Sequence, residues 1–121
     1  MTRNSSSNRL VRCVRQLAAT KESACVADGE LLERFLQRRD QAAFAMLVRR
    51  HGPMVLRLCK RILHREPDAE DAFQATFLVF SRQAASLRPT VSLGGWLYKV
   101  AYRIAQKARV AAARRRKYES G

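Results

Sequence analysis

The sequence predicts an all-α fold, a compact bundle of about four to five helices that ends in a long basic helix. Three observations carry this expectation. Apolar residues recur at three- and four-residue steps through most of the chain. Gly and Pro are few, 5 and 3 among 121 residues, so long uninterrupted helices can form. No run alternates β-branched and polar residues in the manner of a half-buried strand. The length suits one small domain with a tail, and a hydrophobic content of 47% supplies one modest core.

The elements follow in order. Residues 1–27 read as a flexible tail: Ser5, Ser6, Ser7 and Asn8 are polar, and Leu10, Val11, Val14, Leu17 and Ala18 fit one short amphipathic helix. The domain is expected over residues 28–118, with 119–121 as its end. Asp28 is expected to N-cap a helix that turns Leu31, Leu32, Phe35 and Leu36 inward. Asp40 reads as a second cap, restarting the helix with Phe44, Leu47 and Val48 inside. His51, Gly52 and Pro53 read as a stop and restart, since Gly ends helices and Pro suits a first turn. Val55, Leu58, Cys59 and Ile62 then resume the stripe.

Pro67 opens the next helix, with Asp68, Glu70 and Asp71 near the positive end of its dipole. Its inner face is Ala69, Ala72, Phe73, Thr76, Phe77 and Phe80. The run from Ala84 to Gly95 reads as a loop. The last helix is expected from about Gly95 or Trp96 to about Lys117, roughly 30 Å at 1.5 Å per residue. Trp96, Leu97, Val100, Ile104 and Ala108 are its inner face.

Charge divides the chain. Lys and Arg number 24 against 10 Asp and Glu, a formal net charge of +14. Such a surface attracts polyanions, chiefly nucleic acid or an anionic membrane face. Between Ala72 and Tyr118 there is no acid, while Arg82, Arg88, Lys99, Arg103, Lys107, Arg109, Arg114, Arg115, Arg116 and Lys117 fall there. On the last helix Lys99, Arg103, Gln106, Val110 and Arg114 follow by threes and fours, with Lys107 at the edge. That stripe suits a phosphate backbone. A solvated basic face is the plain alternative. The missing acids, the aromatics Trp96, Tyr98 and Tyr102 at the same end, and the adjoining loop favour nucleic acid, because aromatics beside cations suit unstacked bases. Trp96 by itself fits a core position equally well.

A second constellation lies on the preceding helix. Asp71, Gln74 and Leu78 share one face by the i, i+3, i+7 rule. An acid, an amide and apolar groups together suit docking on another helix pair. Dipole complementation accounts for Asp68 and Glu70, but not for the adjacent Phe77 and Leu78, which cannot both point inward.

Residues 68–80, DAEDAFQATFLVF, then a loop, then residues 94–117, GGWLYKVAYRIAQKARVAAARRRK, resemble region 2 of the extracytoplasmic-function (ECF) sigma factors. Residues 28–55, DGELLERFLQRRDQAAFAMLVRRHGPMV, fit the same family's opening helices. The likeness runs from about Asp28 to Lys117. It implies a bacterial transcription initiation module with no catalysis of its own and no cofactor, working in the cytoplasm. The acidic helix would bind the clamp coiled coil of the largest catalytic subunit of core RNA polymerase through Asp71, Gln74, Phe77 and Leu78. The loop with Ser86, Leu87, Arg88 and Ser92 would capture a flipped base of the promoter minus-ten element. The helix from Trp96 would hold the opened strand with Tyr98, Lys99, Tyr102, Arg103, Gln106 and Lys107. The family often carries Glu where this chain has Ala75, and Asn where it has Arg103, so Arg103 suits a phosphate in place of a base. An anti-sigma factor is a further partner that the resemblance allows. The family's second domain, a helix-turn-helix, is not found within these 121 residues.

Other chemistries fit poorly. Cys13, Cys25 and Cys59 are odd in number and widely spaced, which suggests neither disulfides nor a zinc site but reduced thiols. Cys59 and His64 are five apart, on different faces of a helix. Glu70 and Asp71 have no partner base for acid–base work. No apolar run approaches the roughly 18 residues of a membrane span. Two other functions remain in competition: a nonspecific helical nucleic-acid binder, and a membrane-surface helix over residues 96–117.

Overall fold

The computed structural model of the chain describes residues 26–87 and 92–120. The expected tail helix of residues 10–18, together with Arg88, Cys13 and Cys25, lies outside the described residues. Four α-helices are described: α1 (Asp28–Arg38), α2 (Gln41–Ile62), α3 (Glu66–Gln83) and α4 (Leu93–Ser120). A short 3-10 turn, Ala84–Ser86, extends α3. There is no strand among the described residues. α2, α3 and α4 pack on one another in all three pairs, and α1 lies on α2.

The connections are short and chemically explicit. Between α1 and α2 stand only Arg39 and Asp40. Arg39 takes a left-handed conformation, φ 49° and ψ 42°, and closes α1. Asp40 then caps α2, its Oδ1 accepting from the N–H groups of Ala42 at 3.0 Å and Ala43 at 3.3 Å. After α2, the Leu63 N–H donates to the Cys59 carbonyl at 2.7 Å, and the Leu63 side chain is buried. Pro67 stands in the first turn of α3, where a missing N–H costs nothing.

A chain of aromatic rings ties all four helices. Phe35 of α1 meets Phe44 of α2, with ring centroids 4.9 Å apart, and Phe44 stacks on Phe80 of α3 at 5.9 Å. Phe80 in turn meets Phe77 edge-on at 6.5 Å and Trp96 of α4 at 6.0 Å. Phe80 is fully buried. Aromatic pairs of this kind contribute about 0.5–1.5 kcal/mol each beyond the area they bury. Around them lie Leu31, Leu47, Val48, Val55 and Cys59. The thiol of Cys59 is pushed up to about 11 by this burial. Thr76 is the buried polar residue of the core, and its hydroxyl donates to the Ala72 carbonyl at 2.8 Å, so nothing polar is stranded there.

Three expectations are corrected. First, α2 does not stop at Gly52 and Pro53 but runs through Pro53 unbroken. A proline inside a helix typically costs about 3 kcal/mol. Here Leu47, Val48, Val55, Leu58 and Cys59 form one buried stripe across it, so a break would lift half of the stripe off the core. Gly52 is not a helix end. It is buried inside the helix with the Phe73 ring of α3 against it, 3.4 Å from where a Cβ would stand. Second, Asp28 is not the cap of α1. The N-cap is Ala27, with no side-chain bond, and Asp28 is the first helical residue. Its carboxylate reaches α2 instead, accepting from Arg50 Nη1 at 2.7 Å and pairing with His51 Nε2 at 2.7 Å. An ionised carboxylate only accepts, so Nε2 carries the proton. Third, α4 begins at Leu93, and Gly94 and Gly95 belong to its first turn. Ser92 starts the helix by accepting from the Gly95 N–H at 3.2 Å. Leu93 is buried, and Gly94 lies beside the His51 ring.

Two outcomes follow. Phe80→Ala lowers unfolding free energy by about 3–5 kcal/mol in urea titrations, as expected for a fully buried ring with neighbours on three helices. Burial would raise the Asp28 carboxyl. The hydrogen bonds from Arg50 and His51 and their charges outweigh it and hold the group below its ordinary 3.8. Its stabilisation is therefore complete above that value and is lost as pH falls through the lowered one. Asp28→Asn costs about 1–2 kcal/mol near neutral pH, after discounting for solvent, and flattens that acid limb in thermal melts below pH 4.

Candidate nucleic-acid interface and docking face

α4 is oriented by its small residues. Leu93, Leu97, Ala101 and Ala105 recur every four residues and are buried. The two alanines let the helix lie close against α2 and α3, which fixes its rotation. With that rotation set, Tyr98 and Tyr102 turn outward, 45% and 46% exposed, and Lys99, Arg103 and Lys107 are exposed with them. Tyr98, Lys99, Tyr102 and Arg103 line one shallow cleft, two rings and two cations on successive turns. Between Leu93 and Tyr118 the helix carries no acid. Such a face can stack unpaired bases on the rings while the cations take phosphates.

The other expected residues divide. Gln106 is half-buried and accepts from Arg109 Nε at 3.1 Å, so it is engaged along its own helix. Trp96 is half-buried against Phe80 and serves the core, with part of its surface open. Ser86 is exposed, and its hydroxyl donates to the Gln83 carbonyl at 2.7 Å. Leu87 is half-buried on the core. Ser92 is exposed at the head of α4. Ser86, Leu87 and Ser92 thus flank residues 88–91 from both sides.

On α3, Asp71 and Gln74 are half-buried and Leu78 is 57% exposed, on the side away from Phe73 and Phe80. These three share a face as expected. Phe77 does not. It is 2% exposed, packed against Phe73 and Phe80, and its expected part in the docking face is corrected: it is a core residue. Of the two adjacent apolar residues, α3 turns one in and one out.

One feature was not read from the sequence. The end of α3, through Val79 and Gln83, meets α4 to form a groove floored by Val100, Ile104 and Val110 and edged by Arg103, Lys107 and Arg114. The apolar residues of α4 beside its cations were the available signal. No described helix is long and apolar enough to cross a membrane.

Comparison with known proteins gives the family and the fold. The family model described as Sigma-70 region 2 matches residues 47–116. The RNA polymerase sigma-H factor of Pseudomonas aeruginosa is 34% identical over 88 residues, 73% of this chain and 45% of that protein. The chain thus spans about half the length of this curated relative. Among solved structures, an NMR structure of an engineered region 2 of sigmaE in complex with GTAAAA is similar, with a TM-score of 0.67 and 31% identity over 79% of this chain and 96% of that one.

If the exposed cations of α4 carry phosphates, replacing Lys99, Arg103 and Lys107 together by Gln lowers the salt slope of single-stranded oligonucleotide binding by about 2, at 0.7 per phosphate contact. Fluorescence anisotropy across a salt series reads this directly.

Proposed function

The chain belongs to the sigma-70 region 2 family, and we propose from that premise that it is the promoter-opening, polymerase-binding module of a bacterial transcription initiation factor. The observation that carries the reading is the shared exposed face of Tyr98, Lys99, Tyr102 and Arg103 on a helix whose rotation is fixed by the core.

Opening a promoter requires bases to leave the stack, at a cost of a few kcal/mol for each flipped base. Stacking on a tyrosine contributes about 1–3 kcal/mol per base, which offsets that cost once the strand is held. Lys99, Arg103 and Lys107 hold it through phosphates, which position the strand without reading it. Selectivity then rests on a base received between Ser86, Leu87 and Ser92, with Arg88 in the same segment. The engineered sigmaE region 2 is described in complex with GTAAAA, and this sequence is the natural first probe. No step makes or breaks a covalent bond, so the module works by binding alone, in the cytoplasm where promoters are.

Asp71, Gln74 and Leu78 form the second working face. A carboxylate, an amide and an exposed leucine on one side of α3 fit a pair of helices, the chemistry of a polymerase clamp coiled coil. The acid also separates this face from the cationic helix that meets DNA. An anti-sigma factor would silence the module by covering either face.

The test is capture of the purified chain by bacterial core RNA polymerase, alongside anisotropy with GTAAAA and a scrambled strand. Asp71→Arg and Leu78→Asp are expected to weaken capture at least ten-fold, about 1.4 kcal/mol, and to leave the preference for GTAAAA unchanged. Equal capture of both variants and the parent would remove the docking face. Equal binding of both strands would reduce the protein to a nonspecific nucleic-acid binder.

A further inference from the structure

The first turn of α4 is a weak helix start. It reads Leu93, Gly94, Gly95 and Trp96, and inside a helix each glycine is about 1 kcal/mol poorer than alanine. Neither glycine takes a positive φ, so the backbone requires glycine at neither position. Local support comes from Ser92. Its hydroxyl accepts from the Gly95 N–H at 3.2 Å, and its carbonyl accepts from the Trp96 N–H at 3.0 Å. A turn of such low propensity depends on tertiary contacts. Leu93 is buried on one side. On another stands the half-buried His51 of α2, whose Cε1 and Nδ1 lie 3.6 Å from where a Gly94 Cβ would be. The ring is held in turn from α1. Its Nε2 meets Asp28 Oδ2 at 2.7 Å, and Arg50 Nη1 donates to Asp28 Oδ1 at 2.7 Å. The imidazole is thus clamped between a carboxylate and the bare backbone of Gly94.

We propose that His51, held by Asp28, is a positioning residue for base selection: it seats the first turn of α4, so that Ser92 keeps a fixed place relative to Tyr98 and Tyr102. Ser92 and Tyr98 are about 9 Å apart along the rod, at 1.5 Å per residue. Beyond the first turn the helix is anchored separately, by Trp96 on Phe80 and by the buried Leu97, Ala101 and Ala105. Loss of the His51 contact therefore loosens the head of α4 and leaves the tyrosines and cations in place. The proposal rests on the function given above, in which Ser92 flanks the received base while Lys99, Arg103 and Lys107 hold phosphates without reading sequence. The two tasks then separate along one helix. Selectivity depends on its first turn, and strength of binding on the cations further along. His51 acts through α4 and meets no strand itself. A histidine that served stability alone would weaken binding of every strand together, through the folded fraction.

Trp96 is the single tryptophan of the chain, and its N–H closes this turn on Ser92, so its emission reports the seat. The full chain carries His51→Ala, Asp28→Asn or, as a control, Leu63→Ala, a core change just past the far end of α2. All are measured at a temperature where circular dichroism shows them folded. His51→Ala is expected to move Trp96 emission to longer wavelength and to cut the preference for GTAAAA over a scrambled strand about ten-fold, with the salt slope of binding unchanged. Asp28→Asn moves both in the same direction by less, and it carries the test by itself if His51→Ala does not fold. Leu63→Ala moves neither. Gly95→Ala added to His51→Ala restores part of both, because alanine strengthens the turn and its Cβ meets the Ser92 hydroxyl at an ordinary 3.5 Å. With a selective parent, unchanged emission or unchanged preference in His51→Ala would overturn the proposal, as would equal losses on both strands or a matching effect of Leu63→Ala. A parent that binds both strands equally would reject the function proposed above and the selective role with it. Emission in His51→Ala, and its recovery with Gly95→Ala, then decides whether the ring seats α4.

Discussion

The rotation of α4 about its own axis is the constraint on which the surface depends. Two interactions set it. Ala101 and Ala105 are fully buried, so the helix approaches its neighbours on the one side that lacks bulk. Trp96 meets Phe80, and Phe80 is tied through Phe44 to Phe35, so the same ring chain that joins α1, α2 and α3 also stops α4 from turning. With those contacts in place, Tyr98, Lys99, Tyr102 and Arg103 have only the outward side left. This exposed face is therefore a product of the core, and its geometry follows from the packing beneath it.

Electrostatics divides the same small bundle. Acids lie on α1, at the start of α2 and in the first turns of α3, and between Ala72 and Tyr118 there are none. The first half of the described chain uses its acids internally: Glu30 pairs with Arg34, and Asp28 with Arg50 and His51. The Asp28 pair ties α1 to α2, and the His51 ring in turn lies against Gly94 at the head of α4. One carboxylate thus helps to hold the helix that begins where residues 88–91 end. In the second half Lys99, Arg103 and Lys107 are exposed on one helix with no acid between Leu93 and Tyr118.

Much of this was legible in the sequence, for a physical reason. Periodicity reports which side of a helix is apolar, and Leu47, Val48, Val55, Ala69, Ala72 and Phe80 all lie where their spacing put them. Asp40 and Pro67 act locally, and local chemistry is what a sequence displays. The misses are tertiary. Gly52 and Pro53 look like a helix end until the apolar residues on both sides of them are known to form one buried stripe. Asp28 looks like a cap until Arg50 and His51, more than twenty residues away, compete for its oxygens. Gly94 and Gly95 look like loop residues until Ser92 caps them into α4. The resemblance lends Phe77 to the docking face while its helical spacing puts it on the inner face of α3, and burial decides for the spacing. Among the expected strand-holding residues, the exposed tyrosines and cations of α4 do share a face, while Trp96 and Gln106 are drawn into contacts of their own.

The unbroken course of α4 has a consequence for how such a protein can change over generations. Up to Ala108 the helix is geared to the bundle, and gaining or losing one residue there would swing the tyrosines out of register by more than a quarter turn, about 100°. Beyond Ala108 only Ala112 is half-buried, while Val110 and Arg114 line the groove beside the end of α3, so the helix is held to the bundle far more loosely there. A residue gained or lost in that stretch alters reach by about 1.5 Å and disturbs far less packing than one gained or lost before Ala108.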